Sequence, residues 1–490
     1  TRFRGVTGVQ TCALPIWEKH MLFSSITFLF IFLPLTLLLY YLVPVRMKNY
    51  VMLAASLIFY AWGEPVYIIL MILSIILNYF CGQDIYEKRD NARAMKMSLM
   101  FGVVMNLLIL GFFKYYGLLM DTINAILPID IPYRVLALPI GISFYTFQAM
   151  SYLIDVYRKE VKPQENILYF ALYISMFPQL IAGPIVRYID IEEQLKERSI
   201  NSTKFGEGAM YFIRGLAKKV VLANTFGSVY EQVAAMQMGS FSTLTAWVGA
   251  IAYAFQIYFD FGGYSDMAIG LGKMFGFEFL PNFNYPYIAK SITDFWRRWH
   301  ISLSTWFREY VYIPLGGNRC TPSRHILNLL IVWMLTGLWH GAQWNFMFWG
   351  LYYGVILILE KYLWGSKIEK LPSAVQHIYA FVLVLFGWVF FFSPTLGYAG
   401  QYLKVMFGIG AKGIFDKQGF FMIFTNWLLI VIAILASAPR GYKLLKKITG
   451  CWQSEEVRSI VTCAVYIAMF LLCIAFLVTE TYNPFLYFRF

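Results

Sequence analysis

The sequence has few charged residues and lacks the short motifs of several soluble enzyme classes. Asp, Glu, Lys and Arg make up 14% of its 490 residues, whereas soluble domains contain about 25%. None of the cysteines forms a Cys-x-x-Cys pair, so neither a zinc ribbon nor a dithiol redox motif is indicated. The absence of His-Glu-x-x-His and Gly-x-Ser-x-Gly argues against zinc proteases and against hydrolases built on a serine nucleophile elbow.

Long apolar runs take the place of the missing charge. Hydrophobic residues make up 59% of the chain, and several segments stay apolar over roughly 17–25 residues, the helix length that crosses a ~30 Å hydrocarbon core. The alternating segments of roughly ten residues that mark a membrane β-barrel are lacking. The sequence predicts an all-α polytopic membrane protein of roughly ten to twelve transmembrane helices with re-entrant and interfacial helices. No internal repeat is found, which disfavours an inverted-repeat transporter.

The net charge of +13 is explained by membrane topology rather than by nucleic-acid binding. Basic residues accumulate in cytoplasmic loops of membrane proteins, and no soluble domain offers a basic face with interleaved aromatics. The basic segments 44–49, 82–97 and 158–163 are therefore expected in the cytoplasm. This orientation places both chain termini on the extracytoplasmic side of a bacterial cytoplasmic (inner) membrane.

Four segments need a separate interpretation. Residues 1–20 do not match the apolar opening that follows, and we expect a non-native or disordered leader before a single domain of residues 21–490. Residues 167–181 are short for a span and are expected to be re-entrant. Residues 187–219 are mixed and basic, which predicts an amphipathic helix on the membrane surface. Residues 241–259 form a span that ends at a polar cluster.

Glycine patterns favour packing over ligand binding. Gly337-xxx-Gly341 and Gly350-xxx-Gly354 are typical of close helix contact in membranes. A literal Gly-x-Gly-x-x-Gly at 408–413 lacks the strand and helix that a dinucleotide site requires, so we interpret it as a chance match in a loop.

Two of the five histidines suggest function. His20 falls in the leader, and His325 and His377 lie at basic connectors or helix starts, where we expect solvated side chains. His300 follows a charged cluster, and His340 lies in a long apolar run. His340 fits equally well a core histidine bonded to a backbone carbonyl and a general base that accepts a proton from a hydroxyl. The two are forty residues apart without a nearby Cys/Asp cluster, so no metal site is expected.

Further candidates for substrate or donor binding surround these histidines in sequence. Aromatic rings could exclude water or stack on a sugar, and they could equally be packing residues. The arginines could meet an anionic cosubstrate, or they could anchor the cytoplasmic side. The two aspartates that follow a span could orient a histidine or an acceptor hydroxyl, or they could be solvated or paired with these arginines. The candidates are Asp260, Asp266, Asp294, Arg297, Arg298, Trp339, Trp344 and Asn345.

Four stretches together resemble a known family. They are FDFGGYSDMAIG at 259–270, the long motif at 284–319, LTGLWHGAQWNFMFWGLYYG at 335–354 and NPFLYFRF at 483–490. These stretches look like the membrane-bound O-acyltransferases, and specifically like the bacterial branch that acetylates alginate, other exopolysaccharides and peptidoglycan. The resemblance extends over residues 21–490.

The resemblance implies a multi-helix ring around a central tunnel, with the family's histidine at His340 and a second motif position at His300. It implies transfer of an acetyl group from a cytoplasmic donor, expected to be acetyl-CoA, toward a polysaccharide outside, with no bound cofactor or metal. An extracytoplasmic acetyltransferase of the Ser-His-Asp (SGNH) type is the expected partner, beside membrane lipid and the polysaccharide acceptor. The donor would enter near Arg297 and Arg298, His340 would act as base, and His300 would bind or orient the donor.

Three other functions stay open on the sequence. The first is D-alanyl or other acyl transfer from a carrier protein to a cell-wall polymer, which is a branch of the same family. The second is a transporter or flippase of an activated sugar, which predicts ionisable residues spread along several helices and often repeat symmetry. The third is a scaffold for an extracytoplasmic partner, in which both histidines would be dispensable.

Overall fold

The computed structural model describes residues 21–127, 131–134, 136–181, 183–449, 454–479 and 486. Within these ranges every regular element is a helix, so the prediction of an all-α protein is confirmed. The leader expected at 1–20 lies outside the described residues.

The helices fall into three consecutive groups. The first group is α1 (Leu33–Leu42), α2 (Lys48–Gly63), α3 (Ile68–Glu87), α4 (Ala92–Ile126), α5 (Ile142–Tyr157), α6 (Ile167–Ser175) and α7 (Phe177–Leu180). The second is α8 (Tyr188–Lys196), α9 (Ser202–Ala217), α10 (Asn224–Ala234), α11 (Thr243–Met274), α12 (Ile292–Arg298) and α13 (Ile301–Phe307). The third is α14 (Pro322–His340), α15 (Trp344–Leu359), α16 (Gly365–Ile368), α17 (Ser373–Phe392), α18 (Leu396–Met406), α19 (Lys417–Ala436), α20 (Pro439–Thr449) and α21 (Glu455–Thr479).

Single π-helical turns extend several of these helices. They are Phe28–Phe32 before α1, Lys218–Ala223 between α9 and α10, Arg308–Tyr312 after α13 and Glu360–Trp364 after α15. Short 3-10 turns lie at Val45–Met47 and Pro286–Ile288.

Six of the described helices are long and apolar enough to cross a membrane by length and composition. They are α3, α4, the continuous helix Trp344–Ile368, α17, α19 and α21. Several other predicted spans are helices of 16 residues or fewer, such as α2 and α5, which is short for a ~30 Å core. The polytopic class is therefore confirmed, while the described part of the chain holds six such helices rather than ten to twelve.

The predicted end of a span at residue 259 is wrong. One helix, α11, runs without a break from Thr243 to Met274 through the polar cluster. The helix continues because its carboxylates pair with two lysines elsewhere in the same polypeptide rather than with water. Asp260 pairs with Lys219 at 2.7 Å and Asp266 with Lys218 at 2.6 Å.

Helix α9 packs along α11, and its predicted position on the membrane surface stays a prediction. A Cβ added to Gly208 would lie 2.6 Å from the carbonyl oxygen of Gly270, and one added to Gly215 would lie 2.5 Å from that of Gly263. Glycines therefore face glycines at two successive crossings, and the backbones touch. The packing face of α9 is made of glycines, so the basic, mixed composition of this segment does not indicate it.

Helices α14 and α15 meet through the predicted glycine pattern. A Cβ on Gly337 would lie 2.3 Å from the Phe346 carbonyl oxygen, and a Cβ on Gly350 would lie 2.2 Å from the Trp333 carbonyl oxygen. The prediction of close packing is confirmed. This contact fixes the last turn of α14, where His340 lies.

The segment 167–181 is divided into two short helices, α6 and α7, at Met176. Neither helix is long enough to cross a bilayer, and the amide of Phe177 donates to the Ser56 hydroxyl at 3.1 Å inside the protein. This agrees with a segment that enters the membrane domain without crossing it. The chance glycine motif at 408–413 lies in the loop between α18 and α19, as predicted.

Candidate functional site

His340 is the last residue of α14 and is enclosed by aromatic rings. The backbone becomes extended at Gly341, so the helix ends at His340. The imidazole is 7% exposed, and its ring centroid lies 4.9 Å from Trp349, 5.0 Å from Trp339 and 5.4 Å from Phe391. His340 thus faces protein rather than lipid, in a site with little water.

His300 lies on the other side of Trp339. It precedes α13 in a left-handed backbone conformation with φ of 46° and is buried. Its ring packs edge-to-face on Phe261 at 4.7 Å and lies 5.9 Å from the Trp339 ring. The structure therefore brings both predicted histidines, forty residues apart in sequence, to the same tryptophan.

An asparagine that sequence reasoning missed holds the His300 ring. The Asn282 side-chain oxygen accepts from the Ser302 amide at 3.2 Å and from the Ser302 hydroxyl at 2.9 Å, while its amide donates to the Ser265 hydroxyl at 3.0 Å. A backbone N–H only donates, so this oxygen is an acceptor. It lies 3.1 Å from His300 Nδ1, which must then carry the proton and leave the lone pair on Nε2.

The charge state of His300 follows from its surroundings. Burial lowers the pKa of the His300 imidazole well below its usual value, and the nearby His340 lowers it further. Two imidazoles in one apolar site cannot both be cationic at low cost, so His300 is neutral at pH 7.

A cavity of about 680 Å³, here called the vestibule, lies beside the C-terminal end of α14. It is lined by the end of α4 (residues 118–126), by residues 342–345 and by residues 394–396. Trp344 is 59% exposed there. Asn345 is buried and donates to the Ser393 carbonyl at 2.9 Å, which joins the start of α15 to the end of α17. Trp344 can therefore contact a ligand, whereas Asn345 has a structural bond.

A second, narrow recess of about 30 Å³ lies next to Ser302. Its walls include Thr305, Arg187 and Asp190, and Arg187 pairs with Asp190 at 2.8 Å. This volume is close to that of one water molecule. The Ser302 recess is connected to the histidine pair through Asn282, which contacts both Ser302 and His300.

Four of the five predicted charged candidates form ion pairs. Asp260 is buried against Lys219 and also accepts from the Leu486 amide at 2.8 Å, and Asp266 pairs with Lys218. The proposed alternative of pairing with Arg297 or Arg298 is therefore wrong. On α12, Asp294 binds Arg298 at 2.8 Å and Arg297 is exposed. Asp260 still affects the site indirectly, because the next residue, Phe261, packs on His300.

The expectation of a solvated His325 is wrong. This histidine is 7% exposed and lies between two tyrosine hydroxyls, Tyr312 at 2.8 Å and Tyr362 at 2.6 Å. His377 is half-buried and its Nδ1 lies 3.1 Å from the Ala289 carbonyl oxygen. Both therefore have structural partners.

Lys114 of α4 is a second residue that the sequence did not single out. Its ammonium donates to the carbonyl of Trp339 and lies 3.5 Å from the Ser143 hydroxyl. A single lysine near the outer part of an apolar helix is usual in membrane proteins, so the sequence carries no signal for this contact.

Comparison with known proteins gives a consistent result. The family model described as "MBOAT, membrane-bound O-acyltransferase family" matches residues 158–401, a range that includes His300, His340 and Asn282. The "Probable alginate O-acetylase AlgI" of Azotobacter vinelandii is 39% identical, with 96% of this chain and 100% of that protein covered.

Two further relatives differ in the names of their polymers. The "Peptidoglycan O-acetyltransferase" of Helicobacter pylori is 34% identical, with 96% of this chain and 98% of that protein covered. The "Teichoic acid D-alanyltransferase" of Bacillus subtilis is 29% identical over 51% of this chain and 68% of that protein. The similarity thus extends over nearly the whole chain for the two acetylating relatives and over about half of it for the third.

Proposed function

This chain belongs to the membrane-bound O-acyltransferase family, in its alginate O-acetylase-like branch, and we propose that it transfers acetyl groups to hydroxyls of a cell-surface polysaccharide. The A. vinelandii and H. pylori relatives carry names for this reaction on alginate and peptidoglycan. We propose further that residues 21–490 act as one integral membrane domain.

One observation supports the proposal most. The wall of the vestibule includes Ala342, two residues after His340, and the wall of the Ser302 recess includes Ser302, two residues after His300. Polar groups at membrane depth are tolerated where they line a passage. We propose that both cavities give access to the histidine pair, as a reaction between a cytoplasmic donor and an external acceptor requires.

The distribution of basic residues assigns the two openings to sides. The vestibule is built from 118–126, 342–345 and 394–396, all in or beside loops that the charge bias places outside. The Ser302 recess is built from the segments around 187 and 302, which the same bias places in the cytoplasm. We propose an inner-membrane protein with extracytoplasmic termini; the C-terminal residues beyond Thr479, apart from Leu486, lie outside the described residues.

In the proposed reaction an acceptor hydroxyl approaches from the vestibule and a thioester from the side of the Ser302 recess, which has the volume of one water molecule and must widen to admit it. His340 takes the hydroxyl proton as the oxygen attacks the acyl carbon, and the departing thiolate regains a proton. A neutral imidazole is suited to this exchange because one of its ring nitrogens carries a lone pair that can accept a proton. His300, with its lone pair on Nε2, orients the donor, and the exposed Trp344 offers a face on which a sugar ring can stack.

The donor that we propose is acetyl-CoA, since its thioester is cytoplasmic and its phosphates suit the cationic inner face, where Arg297 is exposed. We also propose an extracytoplasmic SGNH-type acetyltransferase as the partner that completes transfer to the polymer. A second candidate donor is a carrier protein loaded with D-alanine, which the partial similarity to the B. subtilis enzyme favours.

The test uses inside-out membrane vesicles that contain the chain, supplied with acetyl-CoA labelled in the acetyl group. Wild-type vesicles should transfer label to enclosed polysaccharide, and His340→Ala should lower the rate by roughly 10²–10⁴-fold, the usual contribution of a general base. The matched control is His377→Gln, which alters a half-buried histidine outside the site. Wild-type acetylation by folded His340→Ala protein would refute the assignment, and label transfer from a D-alanyl carrier alone would favour the second donor.

A further inference from the structure

Lys114 places an amine next to the residue that precedes His340. It lies in α4, one of the helices apolar enough to span the membrane, where a charged side chain is costly unless it has a role or a route to water. Its Nζ donates to the Trp339 carbonyl, lies 3.5 Å from the Ser143 hydroxyl, and is 5.7 Å from the centroid of the Trp339 ring.

The charge of Lys114 has no acidic counterpart nearby. Within the part of the chain that the structure describes, no carboxylate lies within ion-pair distance of its ammonium. The contrast is Lys219, which is also inside the protein but is paired with Asp260 at 2.7 Å. An ammonium has three donors, and two neutral oxygens satisfy part of its hydrogen bonding without neutralising its charge.

Lys114 also lies on the face of α4 that leads to the vestibule. Leu118, Asp121 and Ala125 line that cavity, and they follow Lys114 at intervals of four, seven and eleven residues, which places all four on one helical stripe. Lys114 is therefore one turn deeper than the vestibule wall, at the level of the last turn of α14.

A purely structural role would not require the charge. The neighbouring Tyr115 donates its hydroxyl to the Leu338 carbonyl at 2.8 Å, so a neutral donor already caps the preceding carbonyl at this helix end. A neutral side chain at position 114 would satisfy the Trp339 carbonyl at a lower desolvation cost. A positive charge at position 114 is also favoured by the partial negative charge at the C-terminal end of α14, and a measurement of kcat distinguishes this structural effect from a catalytic one.

We propose that Lys114 is a further catalytic residue, whose ammonium stabilises the oxyanion that forms on the acyl carbonyl beside His340. This inference rests on the proposed acyl transfer. As the acceptor oxygen bonds to the thioester carbon, its proton moves to His340 and the carbonyl π electrons move to the carbonyl oxygen. Collapse of this intermediate restores the carbonyl, breaks the C–S bond and returns the proton to the thiolate. A fixed cation acts on the charge that exists only between these two steps.

The experiment separates charge from capping with variants of one position. The full-length chain in proteoliposomes is supplied with acetyl-CoA and alginate oligosaccharides, and kcat and KM are measured. Lys114→Gln keeps an N–H donor for the Trp339 carbonyl but removes the charge, and it should lower kcat by about 10²-fold with KM for acetyl-CoA nearly unchanged. Lys114→Arg keeps the charge and should retain a far larger share of kcat. Tyr115→Phe, the matched control, should keep the wild-type kcat.

A second measurement tests the role of Lys114 without relying on the correct folding of the Lys114→Gln variant. Lys114→Ala leaves space beside the vestibule, so added ethylammonium should restore part of its kcat, which a structural cap would not show. Wild-type kcat in Lys114→Gln, or equal losses in the Arg and Gln variants, overturns the role of Lys114 alone. Failure of the wild-type chain to transfer acetyl, with an SGNH-type acetyltransferase included in the proteoliposome assay, overturns the proposed function and this inference with it.

Discussion

Replacing Gly350 with alanine should separate α14 from α15 and slow the reaction without touching a reacting group. The added Cβ would lie 2.2 Å from the Trp333 carbonyl oxygen, while real Cβ contacts essentially never fall under 3.0 Å. The obstacle is backbone, which cannot rotate away, so the helices must part by roughly an ångström. Overpacking of this kind costs about 1–3 kcal/mol. His340 lies seven residues after Trp333 on α14, and a 1 Å misplacement of a reacting group can lower the rate by about 10²-fold.

The assay is kcat for acetyl transfer together with the midpoint of thermal unfolding in detergent. Gly354→Ala should give a milder effect, because its Cβ would meet the Trp333 side chain at 3.1 Å. Gly400→Ala is the control, since nothing lies within 4 Å of its added Cβ and alanine favours a helix by about 1 kcal/mol over glycine. A Gly350→Ala protein with the kcat and unfolding midpoint of Gly400→Ala would show that the backbone contact does not position His340.

Two further predictions concern the buried polar groups. Asn282→Leu removes the acceptor that holds His300 Nδ1 and should lower kcat by about 10–100-fold. Asn282→Asp keeps an oxygen at this position and Ser265→Ala removes only the hydrogen bond between Asn282 and Ser265, so both should lower kcat less. Equal kcat in all three variants would contradict the tautomer assignment of His300. Lys219→Met leaves the Asp260 carboxylate buried without its cation and should destabilise the protein by about 3–5 kcal/mol, and the double variant Lys219→Met/Asp260→Leu should recover most of this. Thermal unfolding of the purified single and double variants measures these changes in stability. An unchanged unfolding midpoint in Lys219→Met would refute the contribution of the Lys219–Asp260 pair to stability.

The membrane class and the histidine pair were accessible from the sequence because each has a strong local signal. Long apolar runs indicate that the protein lies in a lipid bilayer, and a histidine such as His340 in an apolar helix is conspicuous. The glycine spacing in α14 and α15 also predicted their contact, since small residues at that interval have one main use in a membrane.

The interpretations that failed depended on partners distant in sequence. The polar cluster at Asp260 wrongly predicts the end of a span because its cation, Lys219, lies on another segment. His325 was expected in water because a basic connector does not indicate which tyrosines will surround it.

Asn282 and Lys114 were missed for the same reason. One is an ordinary polar residue in a loop and the other an ordinary lysine near a helix end, and only the fold places them against His300 and Trp339. No spacing rule within a single segment contains that information.

The ring enclosure of His340 also matters for the energy supply of the cell. A protein that gives two compartments access to one imidazole is a potential proton leak, and each ion that crossed it would dissipate the membrane potential. The rings of Trp339, Trp349 and Phe391 have their centroids within 5.4 Å of the imidazole centroid and occupy space that water would otherwise fill. In the proposed reaction, the rings that would keep water from the acyl group should also restrict the passage of protons, so that acyl groups could be exported while the gradient is kept.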